Sequence, residues 1–368
     1  MSAFRADVWD VQEAKNSPPI DAGLPRDFSK SFEIGRELGK GGFGLVRLVT
    51  EKTTGTEYAC KSICKNLDIP NLSPAKQAQH IDNVKREIQI LRQLRGTLSV
   101  VYMKGAYEDD SDIHIVMEYC RGGELEHTIG KTPYSEETVA TYMRTVLQAA
   151  AQCHAQRILH RDIKPGNFML LTAAPDSPLK AIDFGLAVFF DPEALPRTDL
   201  GLEGTPWFMA PETLQGEFWP ASDVWAAGVM AYQLLSGHLP FDDRTSDAPA
   251  LSLIWRSILG DKPSFRRSAW REVSEEAKDF VKQLLNKNRA GRPSALEMLR
   301  HPWLQSEFHA RKRRPISATV VQRLQRYAHA PILKRSILEL IAAELLKAAP
   351  INLSPGGSTR GGRQFGPG

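Results

Sequence analysis

The stretch ILHRDIKPGN at residues 158–167, followed by DFG at residues 183–185, carries the side chains from which the fold can be predicted. Within six residues, Asp162, Lys164 and Asn167 supply a carboxylate, a cation and a carboxamide. Such a density of polar groups is hard to explain in a structural loop, although a lone DFG triplet can be an ordinary turn. The two motifs together predict an active centre.

These side chains match the requirements of phosphoryl transfer. The reaction needs a carboxylate to orient a hydroxyl, divalent cations to bridge the phosphates, and positive charge to meet the charge that develops. Asp162 is the candidate carboxylate, and Asn167 and Asp183 are the candidate metal ligands. Lys61 and Lys164 are the candidate cations.

A glycine-rich stretch, GKGGFGLV at residues 39–46, fits the pattern G-x-G-x-x-G-x-V, in which missing side chains let backbone amides approach a polyphosphate. A dinucleotide-binding loop would need a helix directly after the glycines, whereas strand-like runs follow here and the second contains Lys61. On this stretch alone a plain hairpin with a surface lysine is the better interpretation, but the other motifs favour a phosphate loop. The residues then expected to contact the phosphates are Gly39, Lys40, Gly41, Gly42, Phe43 and Gly44.

A helical pattern, IDNVKREIQILRQL at residues 81–94, places Glu87 on the polar side of a helix whose Ile88 and Leu91 face a core. From there Glu87 could reach Lys61 and hold its ammonium near the phosphates. Spacing alone favours a solvated surface charge at Glu87. Its assignment to the active centre therefore depends on the other motifs.

With APE at residues 210–212 completing the ordered set of motifs, the chain resembles the eukaryotic Ser/Thr protein kinases over residues 32–304. The resemblance implies an α+β, bilobal protein kinase fold. A small, mainly β N-lobe with one key helix is expected over residues 32–118, and a larger, mainly α C-lobe over residues 119–304. The resemblance also implies transfer of the γ-phosphoryl group of ATP to protein substrates, with ATP and Mg²⁺ as cofactors.

The same resemblance assigns roles to single residues of this sequence. Lys164 and Thr205 are typical of Ser/Thr rather than Tyr specificity. Met117 stands at the gatekeeper position, Glu118 to Cys120 resemble the hinge that pairs with adenine, and Glu124 resembles the acid that contacts ribose. The resemblance also implies nucleotide contacts at Val46, Ala59 and Met169, and support of the catalytic loop by Asp223. It further implies an ion pair of Glu212 and Arg292, and a hydrophobic spine of Leu91, Met103, His160 and Phe184.

The chain resembles one subgroup of kinases, the calmodulin-kinase and calcium-dependent protein kinase type, at residues 104–125, 179–190, 234–241 and 295–304. The likeness continues as a helical segment similar to an autoinhibitory junction over residues 305–349. In the calcium-dependent kinases EF-hands follow this junction, yet no D-x-[DN]-x-[DN]-G loop occurs in the 368 residues. Either calcium control has been lost, or the chain is a fragment, or a separate calmodulin-like sensor binds residues 316–349.

The junction-like segment allows two interpretations. Its apolar stripes lie beside basic residues, and a basic amphipathic helix suits a calmodulin-like partner. A helix docked on the large lobe would have the same pattern, and we favour docking or autoinhibition, with Pro331 expected to kink or divide the helix. The apolar stripes comprise Val320, Val321, Leu324, Tyr327, Ile332, Leu333, Ile337, Leu338 and Ile341.

The sequence departs from the family pattern in the catalytic loop and in the activation segment. Gly166 stands where the family usually has Glu, and Gly201 stands at a position that is often phosphorylated in other kinases. Arg161, which binds that phosphate in phosphate-activated relatives, would instead meet Asp199 or Glu203. Phosphate control of activity is therefore expected to be weakened.

Composition restricts the partners and the location. Lys plus Arg is 47 against 43 for Asp plus Glu, a net charge of +4, so nucleic acid is not an expected partner. No apolar run approaches the roughly 18 residues of a membrane span, and the four cysteines lack metal-ligand spacing and indicate a reducing compartment. We expect a cytoplasmic monomer without a membrane anchor, with nuclear entry only if Arg311 to Arg314 form a signal rather than a linker.

Both ends are expected to lack stable structure, as a flexible arm over residues 1–31 and a disordered Gly/Pro-rich tail over residues 350–368. The predicted function is a Ser/Thr kinase that selects basic residues upstream of the target hydroxyl. The alternative is a pseudokinase scaffold that binds partners without catalysis. Against this alternative stands the joint retention of Lys61, Glu87, Asp162, Asn167 and Asp183.

Overall fold

The computed structural model describes residues 20–41, 44–67, 73–128, 134–174, 176–241, 251–305, 316 and 318–328. Its strands are β1 (Phe32–Gly41), β2 (Gly44–Glu51), β3 (Glu57–Cys64), β4 (Met103–Glu108), β5 (Asp112–Glu118), β6 (Gly123–Glu124), β7 (Ile158–Leu159), β8 (Phe168–Leu170), β9 (Leu179–Ala181) and β10 (Val188–Phe189). Its α-helices are α1 (Phe28–Ser31), α2 (Pro74–Gln93), α3 (Leu125–Thr128), α4 (Glu136–Ala155), α5 (Pro211–Leu214), α6 (Pro220–Ser236), α7 (Leu251–Gly260), α8 (Glu275–Leu284), α9 (Ala295–Met298) and α10 (Ala318–Ala328). Within these described ranges, no helix is long and apolar enough to cross a membrane.

The first five strands form one antiparallel sheet in the order β1-β2-β3-β5-β4. Val46 lies opposite Lys61 in the register of β2 and β3, and Ala59 lies opposite Met117 in that of β3 and β5. Because side chains alternate along a strand, these four residues share one face of the sheet and Cys60 belongs to the other. The Cys60 face is covered by a cluster that includes Phe28, Phe32, Val49 and Val116.

Helix α2 supplies the N-lobe with its one long helix among the described residues. It begins after Ser73, whose Oγ accepts a hydrogen bond from Lys76 N–H at 3.3 Å, and Pro74 fits the first turn. Its apolar residues recur at helical spacing and form the buried side of the helix. These residues are Ile81, Val84, Ile88, Ile90 and Leu91.

Helices α4 and α6 form the centre of the C-lobe. Helix α4 begins at a capping box in which Thr138 N–H donates to Ser135 Oγ at 3.1 Å. Helix α6 is buried along most of its length and ends at Gly237, whose φ of 70° favours glycine. A β-rich N-lobe joined to a helical C-lobe confirms the predicted bilobal α+β fold.

Residues 20–31 depart from the flexible arm that we expected at the N terminus. Ala22 is buried, and the Glu108 carboxylate accepts hydrogen bonds from the N–H groups of Ala22 and Leu24 at 2.9 and 2.8 Å. The expectation was wrong for these residues because the carboxylate that anchors them lies far away in the sequence. The rest of the arm, residues 1–19, is outside the described residues.

Helix α10 is the main described part of the junction predicted over residues 305–349. Val320 and Leu324 are buried, and the helix packs against α3 and α6 of the C-lobe. Docking on the large lobe is therefore the arrangement found for α10. Pro331 and the predicted tail, residues 350–368, lie outside the described residues.

Candidate active site

Lys61 connects the two lobes at the candidate site. Its Nζ lies 2.7 Å from Glu87 Oε1 on α2 and 3.4 Å from Asp183 Oδ1 of the DFG motif. Glu87 is only 4% exposed, so the solvated surface charge that spacing alone favoured is wrong. The carboxylate can be buried because the Lys61 ammonium compensates its charge.

The charges around Lys61 determine its protonation. Burial alone would lower the pKa of the Lys61 ammonium, but the carboxylates of Glu87 and Asp183 raise it above its usual value. Burial would raise the pKa of the Asp183 carboxyl, but the charge of Lys61 and the N–H of Gly185 bring it below its usual value. At neutral pH the site therefore holds a lysine cation beside an aspartate anion.

Asp162 and Asn167 are tied together in the catalytic loop. The Asn167 amide Nδ2 donates to the backbone O of Asp162 at 2.7 Å and to its Oδ2 at 2.8 Å. Because both amide hydrogens point to Asp162, Asn167 Oδ1 points the other way, where it can act as a ligand. Ile182 N–H donates to Asn167 O at 3.0 Å and so fixes Asn167 next to Asp183.

A network around the Asp162 carboxylate joins the catalytic loop to the activation segment. Lys164 Nζ lies 2.9 Å from Asp162 Oδ2 and donates to Thr205 Oγ1 at 2.7 Å. Thr205 donates to Asp162 Oδ1 through its N–H at 3.1 Å and its hydroxyl at 2.8 Å. Sequence reasoning used Thr205 only as a marker of specificity and missed this contact.

Asp223 holds the backbone of the catalytic loop. Its carboxylate accepts hydrogen bonds from His160 N–H and Arg161 N–H, each at 2.9 Å, and its Oδ2 pairs with His154 Nε2 at 2.9 Å. Arg161 has a φ of 70°, a left-handed conformation that is costly for a residue with a side chain. The buried carboxylate therefore stabilises a strained turn directly before Asp162.

The activation segment contacts Arg161 directly. Arg161 Nη2 donates to Gly201 O at 2.8 Å, and Nη1 lies 3.4 Å from Glu203 Oε2. Asp199, the other acid expected beside Arg161, pairs instead with Arg197 at 2.6 Å. The activation segment thus supplies two partners to Arg161 without a phosphate, while Arg161 Nε stays buried without a hydrogen-bond partner.

The glycine-rich stretch spans the turn between β1 and β2. Gly39, Lys40 and Gly41 end β1, and Gly44 begins β2. A Cβ at Gly44 would lie 2.3 Å from Ser62 O, so this position tolerates only glycine. Gly42 and Phe43, at the tip of the turn, lie outside the described residues.

The predicted adenine and ribose contacts lie on two neighbouring sheets along the chain. Val46, Ala59 and Met117 share the sheet face of Lys61. In the next sheet Glu124 of β6 lies opposite Met169 of β8, and Glu124 Oε2 is 2.8 Å from His127 Nδ1. The structure therefore places these predicted nucleotide contacts on both sides of the β5–β6 connection. 

The hinge side chains have structural roles. Glu118 Oε1 accepts a hydrogen bond from Tyr102 N–H at 2.7 Å and pairs with Lys180 Nζ at 2.9 Å. Cys120 is buried, and burial raises the pKa of its thiol to about 12. Pairing with adenine would therefore use the backbone groups of the hinge, not these side chains.

Asn167 and Asp183 fit a Mg²⁺ site that phosphate oxygens complete. Mg²⁺ prefers oxygen ligands and often binds through one or two carboxylates together with substrate phosphates. Over the part of the chain that the structure describes, no group of three His, Cys, Asp or Glu could hold a metal. The donor set suits a cation that is bound together with a nucleotide.

Glu126 is a candidate site residue that sequence reasoning missed. Its Oε2 lies 3.0 Å from the position that a Cβ at Gly166 would take. Gly166 stands where the family usually has Glu, so Glu126 brings a carboxylate from α3 to that part of the catalytic loop. The sequence signal was the missing acid at 166 together with an additional acid in α3.

Comparison with known proteins agrees with this geometry. The protein kinase domain family matches residues 32–304. The chain is 40% identical over 324 residues to calcium-dependent protein kinase 8 of Oryza sativa subsp. japonica, covering 87% of this chain and 57% of that protein. It is 38% identical over 333 residues to calcium-dependent protein kinase 34 of Arabidopsis thaliana, covering 89% and 61%. The chain spans about three fifths of the length of these curated relatives, and by its match over residues 32–304 it belongs to the protein kinase domain family.

Proposed function

We propose that the chain is an active Ser/Thr protein kinase that transfers the γ-phosphoryl group of ATP to hydroxyl groups of protein substrates. The observation that carries this proposal is the contact of Lys61 Nζ with both Glu87 and Asp183, at 2.7 and 3.4 Å. Protein kinases need the lysine paired with the helix glutamate and the DFG aspartate in place at the same time. The contact supports a catalytically competent arrangement of the two lobes.

Each of the central side chains has one task in the proposed reaction. Asp162 accepts a hydrogen bond from the substrate hydroxyl and takes up its proton as the oxygen attacks. Lys61 and Lys164 place positive charge where the phosphates carry negative charge. Asn167 and Asp183 would hold Mg²⁺, which supplies further positive charge to the phosphate oxygens when it is bound.

Phosphate incorporation separates a kinase from a pseudokinase scaffold. Incubated with Mg²⁺ and ATP labelled in the γ-phosphate, the chain should phosphorylate itself or Ser/Thr peptides. Asp162→Asn should reduce the rate by about 10²- to 10⁴-fold, because it removes the proton acceptor. Asp261→Asn, which changes an exposed acid directly after α7, is the matched control. No incorporation by the parent, or equal incorporation by Asp162→Asn, would favour the scaffold.

We further propose that the chain prefers a basic residue upstream of the target hydroxyl, three positions before it. Glu124 is partly exposed at the end of β6, directly before α3, whereas Glu126 is 8% exposed and its Oε2 lies beside Gly166 of the catalytic loop. An exposed carboxylate such as that of Glu124 can pair with a guanidinium in bidentate geometry, and Glu126 would add negative charge behind it. The pairing would select peptides by charge.

A peptide array with Arg moved through the upstream positions measures this preference. Phosphorylation should be strongest with Arg three positions before the target, and Glu124→Gln and Glu126→Gln should each reduce that preference by about tenfold, as expected for loss of a charged hydrogen bond. Glu193→Gln, an exposed acid in the activation segment, should leave the preference unchanged. An array without any upstream basic preference rejects the proposal.

We also propose that helix α10 restrains the kinase. Val320 and Leu324 are buried, and Arg323 Nη1 lies 2.6 Å from His238 Nε2. The helix packs against α3, the element that carries Glu126. A helix docked there is well placed to compete with a protein substrate, and a basic amphipathic helix is also a suitable ligand for a calmodulin-like protein.

Removing the contacts of α10 should raise activity. Leu324→Asp buries an unpaired charge and should release the helix, and a tenfold rise in peptide phosphorylation corresponds to about 1.4 kcal/mol of docking free energy. A chain ending at Gln305 should show a similar rise. Calcium alone should not activate the parent, because its sequence holds no EF-hand loop, whereas calcium with calmodulin should. Unchanged rates after both alterations, or activation by calcium alone, would refute the proposal.

A further inference from the structure

A buried ion pair joins Lys65, directly after β3, to Glu108 at the end of β4, and Glu108 also binds residues that precede the N-lobe sheet. The side chains of Lys65 and Glu108 are both 0% exposed, and Lys65 Nζ lies 2.5 Å from Glu108 Oε2. The same carboxylate accepts hydrogen bonds from Ala22 N–H at 2.9 Å and Leu24 N–H at 2.8 Å. In return, Glu108 N–H donates to Pro25 O at 2.9 Å.

This ion pair needs all of its partners. A carboxylate and an ammonium lose their hydration when they are buried, so removing one donor leaves charge uncompensated. Burial would raise the pKa of the Glu108 carboxyl, but hydrogen bonds with Lys65, Ala22, Leu24 and Asp21 outweigh it and the pKa falls to about 2. Glu108 is therefore ionised under all ordinary conditions and attracts each of these donors.

Residues 20–28, which we call the N-terminal strap, are held at a second point as well. Phe28 stacks on His114 of β5 with ring centroids 4.1 Å apart. Between the two attachment points, Arg26 forms an exposed ion pair with Asp110 at 2.8 Å. The strap is thus fixed at Glu108 and at His114 and is loosely held between them.

The Lys65 end of the ion pair continues into helix α2. The backbone oxygen of Lys65 accepts a hydrogen bond from Gln77 Nε2, and His80 Nε2 lies 2.9 Å from the backbone oxygen of Cys64. Gln77 and His80 belong to the first half of α2. Glu87 lies on the same helix, about 15 Å beyond Gln77 along the helix axis at 1.5 Å per residue.

We propose that Glu108 is a positioning residue for phosphoryl transfer. With the N-terminal strap in place it anchors Lys65, and through Lys65 the start of α2, so that Glu87 stays within reach of Lys61. Loss of the strap would let α2 shift and weaken that contact, because shifts of packed helices are a common way in which sites open and close. The effect on phosphoryl transfer rests on the proposed kinase function. The effects on nucleotide binding and on the mobility of α2 do not, because they can be measured without catalysis.

Two variants of the full 368-residue chain test the proposal. Ala22→Asp adds a carboxylate beside those of Glu108 and Asp21 and should expel the strap, so that Glu108 loses the N–H donors of Ala22 and Leu24 and holds Lys65 less firmly. Glu108→Gln removes the charge of the anchor. Each should weaken binding of ATP in the presence of Mg²⁺ about fivefold or more, measured by titration calorimetry. Arg26→Gln, in the same strap but exposed, should change the affinity by less than the experimental error.

Amide hydrogen exchange supplies a readout that a general loss of stability would not reproduce. In Ala22→Asp, exchange should become faster over residues 74–93 of α2 and stay unchanged over residues 136–155 of α4. Unchanged exchange in α2 would overturn the proposal. Equal acceleration in both helices would show destabilisation of the whole fold and would also overturn it.

A double-mutant cycle shows whether the effect passes through Glu87. In a chain that carries Glu87→Gln, Ala22→Asp should cause no further loss of ATP affinity, because the contact through which it acts is already absent. A fivefold loss that persists in this background contradicts the proposal. If Glu108→Gln does not fold, the ATP affinity and hydrogen exchange of Ala22→Asp alone test the proposal. If the parent chain binds ATP but does not phosphorylate peptides, the proposed kinase function is refuted. The ATP-binding and hydrogen-exchange measurements still test the role of Glu108.

Discussion

Replacing Asp183 with alanine should lower the rate of Mg²⁺-dependent phosphoryl transfer by about 10³-fold or more, while the chain stays folded. Asp183 Oδ1 contacts Lys61 Nζ at 3.4 Å and accepts a hydrogen bond from Gly185 N–H at 3.1 Å. Its side chain is 36% exposed and adds nothing to the apolar core. The substitution therefore removes the proposed metal ligand and a partner of Lys61 at little cost in packing.

Rate and stability have to be measured together for this variant. Peptide phosphorylation at saturating ATP reports the loss of transfer, and the midpoint of thermal unfolding should stay close to that of the parent. Asp261→Ala, an exposed acid after α7, is the control for the loss of one negative charge and should keep full activity. Comparable turnover by Asp183→Ala and the parent would show that another group holds the metal.

Replacing Arg292 with methionine should lower the free energy of unfolding by about 3–5 kcal/mol. The Arg292 side chain is 0% exposed and donates to Glu212 Oε1 at 2.6 Å and Oε2 at 3.1 Å. It also donates to the backbone oxygens of Ala221 and Asn286 at 2.6 and 2.9 Å. Methionine fills a similar volume but leaves the Glu212 carboxylate buried without its cation.

Urea unfolding of the full chain measures this change. Arg121→Met, which removes an exposed ion pair with Glu57, should have a much smaller effect, because exposed pairs contribute little. Adding Glu212→Leu to Arg292→Met should restore part of the lost stability, since it removes the uncompensated charge. A small loss of unfolding free energy in Arg292→Met would mean that water solvates the Glu212 carboxylate or that a neighbouring group compensates its charge.

The sequence by itself determined the kinase fold and the main residues of the candidate site. Asp162, Asn167 and Asp183 occur in short motifs whose order and spacing leave few alternatives, and the structure places Asn167 against Asp162 and against Ile182, the residue before Asp183. Lys61 follows from a glycine-rich turn between two strands. Such signals are readable because the residues of each motif are close neighbours along the chain.

The tertiary structure alone decided which charges are buried. Periodicity assigned Glu87 to the solvated side of its helix, and composition assigned residues 20–31 to a flexible arm. Spacing alone misplaced Glu87, which only the set of motifs assigned to Lys61, and the flexible arm was wrong for residues 20–31. In both cases burial depends on a partner from a distant part of the chain: Lys61 for Glu87, and Glu108 for the amides of Ala22 and Leu24. Periodicity and composition carry no information about such partners, since only the folded chain brings them together.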